Sequence, residues 1–289
     1  MRLATRRKLL QASVLSAPLL WTFLFLFLPY MILTTYSFYE KKFPTFVPAF
    51  QFGNYYQLIS DPQYYQVIFR SGWIGGLTAI CALLLAYPFC YFLVFVVKSA
   101  RVRLALYMAV IIPLWVSYLL RAYTWKTILG YEGILNSFLV WAGFLSEPTD
   151  IFIYNKFSMV LTLTYIFIPF TVMPIYTSLE KIPRNLIEAS KDLGAGSFLT
   201  FLKVTLPLSM PGVIAGMTFT FCLTSGDFLA PFLVGGPDGF LIANVMITQF
   251  GAALNWPLGS ALSIIMLIVV LTIISLSDRF QRAGRLDLG

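Results

Sequence analysis

The sequence predicts an all-α polytopic membrane protein: six transmembrane helices with both termini cytoplasmic. Three observations carry this. First, 59% of the 289 residues are apolar and only 11% are charged, against about 45–50% and about 25% in soluble domains. Second, six stretches meet or approach the roughly 20 apolar residues that a helix needs to cross the hydrocarbon core. Third, the basic residues collect on one side of those stretches. With a mean hydropathy of +0.82, the chain has too little charge to clothe a water-facing surface. An ordinary soluble domain, a disordered chain and a nucleic-acid-binding domain are excluded. The absence of histidine removes the commonest general base and metal ligand. Cys81, Cys90 and Cys222 all lie in apolar runs, an odd set that gives neither a disulfide framework nor a metal site.

The uncharged stretches are Leu9–Tyr39, Ser71–Val97, Leu104–Leu120, Phe157–Leu179, Val204–Gly226 and Gly239–Ser277. They place spans near 14–36, 71–97, 104–125, 157–179, 210–233 and 258–277. The first follows basic residues, and Thr5-Arg6-Arg7 invites a twin-arginine leader. Its length and the lack of a small-x-small site after it favour an uncleaved anchor. The third is short and continues through Arg121 toward Trp125. The last stretch exceeds one span, and Gly251–Gly259 with Pro257 marks where its helix starts. Fourteen of the 20 Lys and Arg residues lie before the first span, in the 98–103 and 181–203 loops, and after the last span. Five lie in the other loops, and Arg121 lies within the third span. Positive-rich loops stay in the cytoplasm, so the net charge of +8 is an orientation signal. The organisation is a cytoplasmic tail 1–13, a membrane domain 14–277 that includes a loop 180–209, and a cytoplasmic tail 278–289. The outward loop 38–70 has room for an interfacial helix around Gly53–Ser60. The outward loop 126–156 carries Gly130, Gly133, Gly143 and Pro148. Neither is a separate domain.

No G-x-x-x-x-G-K-[ST] phosphate loop occurs, and Gly235-Gly236-Pro237-Asp238-Gly239 reads as a turn. Within the spans the one acid is Asp227 and the one base is Arg121. A carboxylate pair or a proton relay needs more ionisable groups than that.

The 180–209 loop is patterned. Pro183 opens a helix. Leu186, Ile187, Ala189, Ser190 and Leu193 recur at helical spacing, with Arg184, Glu188, Lys191 and Asp192 mostly between them. Gly194 stands where a left-handed residue closes a helix. Ser197 is placed to cap a second helix that rises to Leu206-Pro207. The first helix, about 11 residues and about 16 Å long, is a rigid lever between two spans.

Glu188-Ala189-Ser190, Gly194 and Val204-x-Leu206-Pro207 resemble the E-A-A-x(3)-G-x(9)-I-x-L-P loop. That loop marks permease subunits of binding-protein-dependent ABC importers. All spacings fit; Ser190 replaces the second alanine and Val204 the isoleucine. Tyr87-Pro88-Phe89, Pro113-Leu114-Trp115, Leu120-Arg121-Ala122-Tyr123, Gly226-Asp227-Phe228 and Asn255-Trp256-Pro257 are similar to the spermidine/putrescine-type branch.

The resemblance implies a type I importer in the bacterial inner membrane. Two permease chains, usually non-identical, form the path. Two ATP-binding cassette subunits dock below and a periplasmic solute-binding protein docks above. ATP and Mg would be bound by the partner ATPase, so this chain carries no cofactor and does no bond chemistry. The Pro183–Leu193 helix would sit in a groove of the ATPase, with Leu186 and Leu193 filling it. Glu188 would pair with a basic residue, within a coupling set that also includes Ala189, Ser190, Asp192, Gly194, Leu206 and Pro207. The cargo implied is a polyamine; related branches carry other small amines, phosphonates, iron or thiamine. A stand-alone transporter or channel is the alternative from another class, and a structural membrane component is the third.

Asp227 has two readings. It pairs with Arg121 or caps a backbone, or it lines the path and attracts a polycation. Tyr118, Tyr123 and Trp125 either offer faces to an ammonium group or anchor the bilayer interface. Pro113, Pro169, Pro174, Pro211 and Pro231, in or near the membrane, either kink spans or reflect how common proline is in membrane helices.

Overall fold

The computed structural model describes residues 14–42 and 44–286. In chain order its elements are α1 (Val14–Ser37), the strands β1 (Tyr39–Lys42) and β2 (Thr45–Pro48), α2 (Gly53–Ser60), α3 (Pro62–Val96), α4 (Ala100–Trp115), α5 (Tyr118–Leu129), α6 (Ile134–Trp141), α7 (Lys156–Glu180), α8 (Arg184–Asp192), α9 (Ser197–Ser225), α10 (Leu229–Val234), α11 (Ile242–Phe250) and α12 (Trp256–Leu286). Among the described residues, α1, α3, α7, α9 and α12 are each long and apolar enough to span a bilayer. A bent pair, Ala100–Trp115 with Tyr118–Trp141, makes a sixth if its two halves count as one span. The predicted tail 1–13, with Arg2, Arg6, Arg7 and Lys8, lies outside the described residues.

Three expected spans change shape. The third is not one helix over 104–125: α4 and the segment Tyr118–Trp141 meet at 99°. Pro113 cannot donate a backbone hydrogen bond, so α4 ends in a 3-10 turn, Ile112–Trp115, closed by Val116 N–H on Pro113 O at 3.1 Å. The fifth does not run from 210 to 233. Its helix begins at Ser197, ends at Ser225, and gives way to α10 after Gly226. Pro207 stands inside that helix, just beyond a π-helical segment, Phe201–Thr205. The same arrangement recurs in α1, where Phe23–Phe27 is π-helical before Pro29. One extra residue in the turn takes up the proline's missing N–H and its ring. Finally, α12 does not stop at 277. No proline intervenes, and the helix runs to Leu286, into the expected tail. Pro169, Pro174 and Pro211 sit inside α7 and α9 without breaking them.

The packing falls into two compact units. The first takes the chain up to Tyr65 together with Met246–Ile268. None of the apolar window of α1 is buried. The hairpin joins Tyr39 opposite Pro48 through Lys42 opposite Thr45, and α2 occupies the predicted Gly53–Ser60. Asn54 Nδ2 donates to Ser37 O and Tyr39 O, each at 2.8 Å, and locks this corner. Lys41 Nζ donates to Ala253 O at 2.6 Å.

The second unit takes Gln66–Val245 with the chain from Val269 onward. Its centre is α7, two-thirds of whose apolar window (67%) is buried; none of the other four long helices exceeds 33%. Asn155 and Ser158 form a reciprocal capping box at the start of α7. Ser158 Oγ also donates to Val234 O at 2.7 Å, tying α10 to it. Gly212 and Gly216 bring α9 against α7. A Cβ on Gly212 would lie 2.4 Å from Pro174 O, and one on Gly216 would lie 3.0 Å from Thr171 O. Small residues four apart allow this approach. The Thr171 and Thr220 hydroxyls, 2.6 Å apart, clasp the same pair of helices.

Candidate functional site

The short helix α8 is set by its flanks. Pro183 takes the N-cap position, with φ −63° and ψ 129°, rather than the first turn. Ile182 before it is buried in one apolar cluster with Leu179, and Ile187 packs against that cluster. This staples the helix entry. At the other end Gly194 adopts φ +82°. Its N–H donates to Lys191 O at 2.9 Å and that of Ala195 to Ser190 O at 3.1 Å, the bond pair of a Schellman stop. Ser197 does not cap the next helix. Gly196 holds the N-cap position, and no side chain caps it.

Three faces of α8 separate. Ile187 and Ser190 turn toward the protein, with Ser190 Oγ 3.1 Å from Thr200 Oγ1. Leu186, Ala189 and Leu193, spaced i, i+3, i+7, are all exposed, and Leu193 is 89% exposed. Asp192 is exposed too. Arg184, Glu188 and Lys191, spaced i, i+4, i+7, border a cavity of about 260 Å³ that Tyr91 and Phe95 back. Among the described residues the one ion pair is Lys42–Glu40, at 3.1 Å. Glu188 is therefore not neutralised by Arg184 or Lys191. Leu206 and Pro207 are part of continuous α9, not the end of a separate helix; Leu206 is half-buried and Pro207 exposed.

The second group lies at the α9–α10 break. Asp227 and Arg121 are each 8% exposed, but they form no ion pair. Asp227 Oδ1 accepts from the N–H groups of Leu229 (2.7 Å) and Ala230 (3.0 Å), capping α10. Tyr118 Oη donates to its other oxygen. The Arg121 guanidinium sits 5.8 Å from the Tyr118 ring centroid and donates to Ile166 O at 3.2 Å. Tyr118 thus stands between acid and base. Tyr123 and Trp125 are not brought to this cluster. Lys126 Nζ covers the Tyr123 ring at 5.9 Å, and Trp125 meets Tyr165 at 5.4 Å.

Sequence reasoning missed the Gly212/Gly216 approach and the Tyr87–Ser209 hydrogen bond of 2.8 Å. The small-x-x-x-small spacing in the fifth span was the available signal for the first. For the second there was none, because the partners are 122 residues apart.

The chain is similar to the spermidine/putrescine transport system permease protein PotB of Escherichia coli K12. The two are 38% identical over 251 residues, covering 86% of this chain and 90% of that protein. It is 34% identical to PotB of Haemophilus influenzae over 267 residues, covering 92% and 91%. A bacterial ABC transporter involved in the import of the acidic polysaccharide alginate shares the fold, with a TM-score of 0.79 at 18% identity, covering 98% and 99% of the two chains. Residues 89–284 match the family of binding-protein-dependent transport system inner membrane components. The chain belongs to that family: it is a multi-pass inner-membrane permease subunit and not itself an enzyme.

Proposed function

We propose that this chain forms half of the translocation path of an ATP-driven polyamine importer, and that α8 couples it to a separate ATPase. The observation that carries the coupling is the free stripe Leu186, Ala189 and Leu193 beside an acid, Glu188, that carries no ion pair. Exposed apolar residues on a rigidly stopped helix are what a partner's groove buries. The cargo rests on the relatives named for spermidine and putrescine transport. The lopsided basic residues orient α8 and both termini toward the cytoplasm. A second permease completes the path, a periplasmic binding protein delivers the solute, and the ATPase holds ATP and Mg.

The mechanism follows from the lever. ATP binding closes the ATPase pair and displaces α8. Because α9 is continuous from Ser197 to Ser225, and Ser190 contacts Thr200 near its start, the displacement reaches the α9–α10 break beside Asp227. The experiment is uptake of labelled spermidine by liposomes holding both permeases and the ATPase, with binding protein outside and ATP inside. Uptake is expected to require ATP and to vanish with Glu188→Lys or Gly194→Pro. Uptake by this chain alone under an ion gradient would overturn the proposal.

A further inference from the structure

Two adjoining cavities on the second unit are used by neither the coupling site nor the Asp227 cluster. The first, about 650 Å³, is a trough between α3 and α7 walled by apolar side chains, among them Trp73, Leu77, Leu84, Phe157 and Leu161; Lys156 is its one charged lining residue. The second, about 490 Å³, opens beside it and shares Lys156 and Phe157, adding Asn155 and Asp238. From Trp73 to Leu85 the trough follows α3 for about 18 Å at 1.5 Å per residue. Half of a hydrocarbon core of about 30 Å is about 15 Å. An apolar trough one leaflet long therefore adjoins a second chamber whose lining includes one cation, Lys156, and one anion, Asp238.

The parts are held firmly. Lys156 is the first residue of α7, inside the Asn155–Ser158 capping box. The Asp238 turn is fixed through its backbone, where the Arg70 guanidinium donates to Asp238 O. That leaves both side chains at the surface, and both are exposed. Trp73 and Leu84 are 62% and 67% exposed, so the trough wall is open in this chain.

We propose that this pair of cavities is a binding site for one zwitterionic phospholipid with an ethanolamine head group. Lys156 meets the phosphate, Asp238 meets the ammonium, and an acyl chain fills the trough. The charge pair selects this head group: a glycerol head group brings no cation for Asp238 and leaves that carboxylate beside the lipid's own negative charge. The site does not depend on which solute the importer carries.

The test is photo-crosslinking in the full assembly, reconstituted in nanodiscs of equal phosphatidylethanolamine and phosphatidylglycerol. A benzophenone side chain replaces Leu84, or Leu271, an exposed residue of α12, as the control. Intact mass is expected to show one phosphatidylethanolamine adduct at position 84. Its excess over phosphatidylglycerol should be about threefold above that at 271, the size of one exposed ion pair. Asp238→Lys is expected to reverse the preference toward phosphatidylglycerol, a change that loss of folding does not produce. Leu77→Trp, which fills the trough, should lower the adduct at 84 and leave that at 271 unchanged. The proposal is overturned by a cross-link to the second permease at position 84, by the same lipid ratio at both positions, or by an unchanged preference in Asp238→Lys.

Discussion

Gly194 offers a clean perturbation, because its surroundings and its backbone make separate demands. A Cβ added there meets nothing within 4 Å. Its φ of +82° is nonetheless costly for any L side chain. An alanine faces no clash, then, only the left-handed penalty of roughly 1–2 kcal/mol. That is a factor of roughly 5–30 in the ratio of stopped to unstopped helix. If the ATPase binds only the stopped form, Gly194→Ala raises the apparent Kd by up to that factor. Asparagine tolerates the left-handed region better and should weaken binding less. Valine, β-branched, should weaken it more. The assay is titration of the purified ATPase against the permease in nanodiscs, with span integrity followed by thermal unfolding. Equal affinities across Gly, Asn, Ala and Val at position 194 would refute the reasoning, as would a series in which asparagine is the worst.

Gly212→Ala should destabilise the chain by about 1–3 kcal/mol in mixed-micelle unfolding, since its Cβ meets the Pro174 carbonyl at 2.4 Å. Gly76→Ala, with nothing within 4 Å, is the matched control and should show no loss. Asp227→Ala should cost about 0.5–2 kcal/mol in the same assay by stripping the α10 cap, whereas Asp227→Asn keeps an acceptor and should lower uptake while the assembly persists. Tyr118→Phe removes the hydrogen bond to Asp227 and should cost about 1.5–3 kcal/mol; unaltered stability would show that the bond is not formed in the membrane.

The parts of the fold legible in the sequence are those that a bilayer dictates. Uncharged runs of sufficient length had nowhere else to go, so α1, α7 and the start of α12 lie close to their expected places. Gly194 was legible because few residues but glycine take a positive φ. The bend at Val116–Ser117 was harder. Pro113 announced a kink, but Pro169, Pro174 and Pro211 lie unbroken within helices, so proline alone does not separate a kink from a break. Packing decides. α7 and α9 are braced by each other along Gly212, Gly216 and Thr220, while Trp115 at the break is 89% exposed. The hairpin at Tyr39–Pro48 was hidden by its polar, charged first strand, which lacks the alternation that marks a half-buried strand. α6 and α11 are too short to register as spans. The partnership of Tyr118 with Asp227 joins residues 109 apart in sequence, and no local pattern encodes it. Arg121 and Asp227 were each recognisable as costly intramembrane charges, yet each found a separate solution, a carbonyl and an aromatic face for one and a helix cap for the other.

The most direct measurement is cysteine cross-linking from the exposed stripe of α8. Leu193→Cys, at an 89% exposed position, should form a disulfide with a cysteine placed in the groove of the ATP-hydrolysing subunit. Locking that bond should abolish solute-stimulated hydrolysis until reductant restores it. Contact of residue 193 with lipid or solvent alone, in an assembly that still imports solute, would contradict the central claim that α8 takes the motor's stroke.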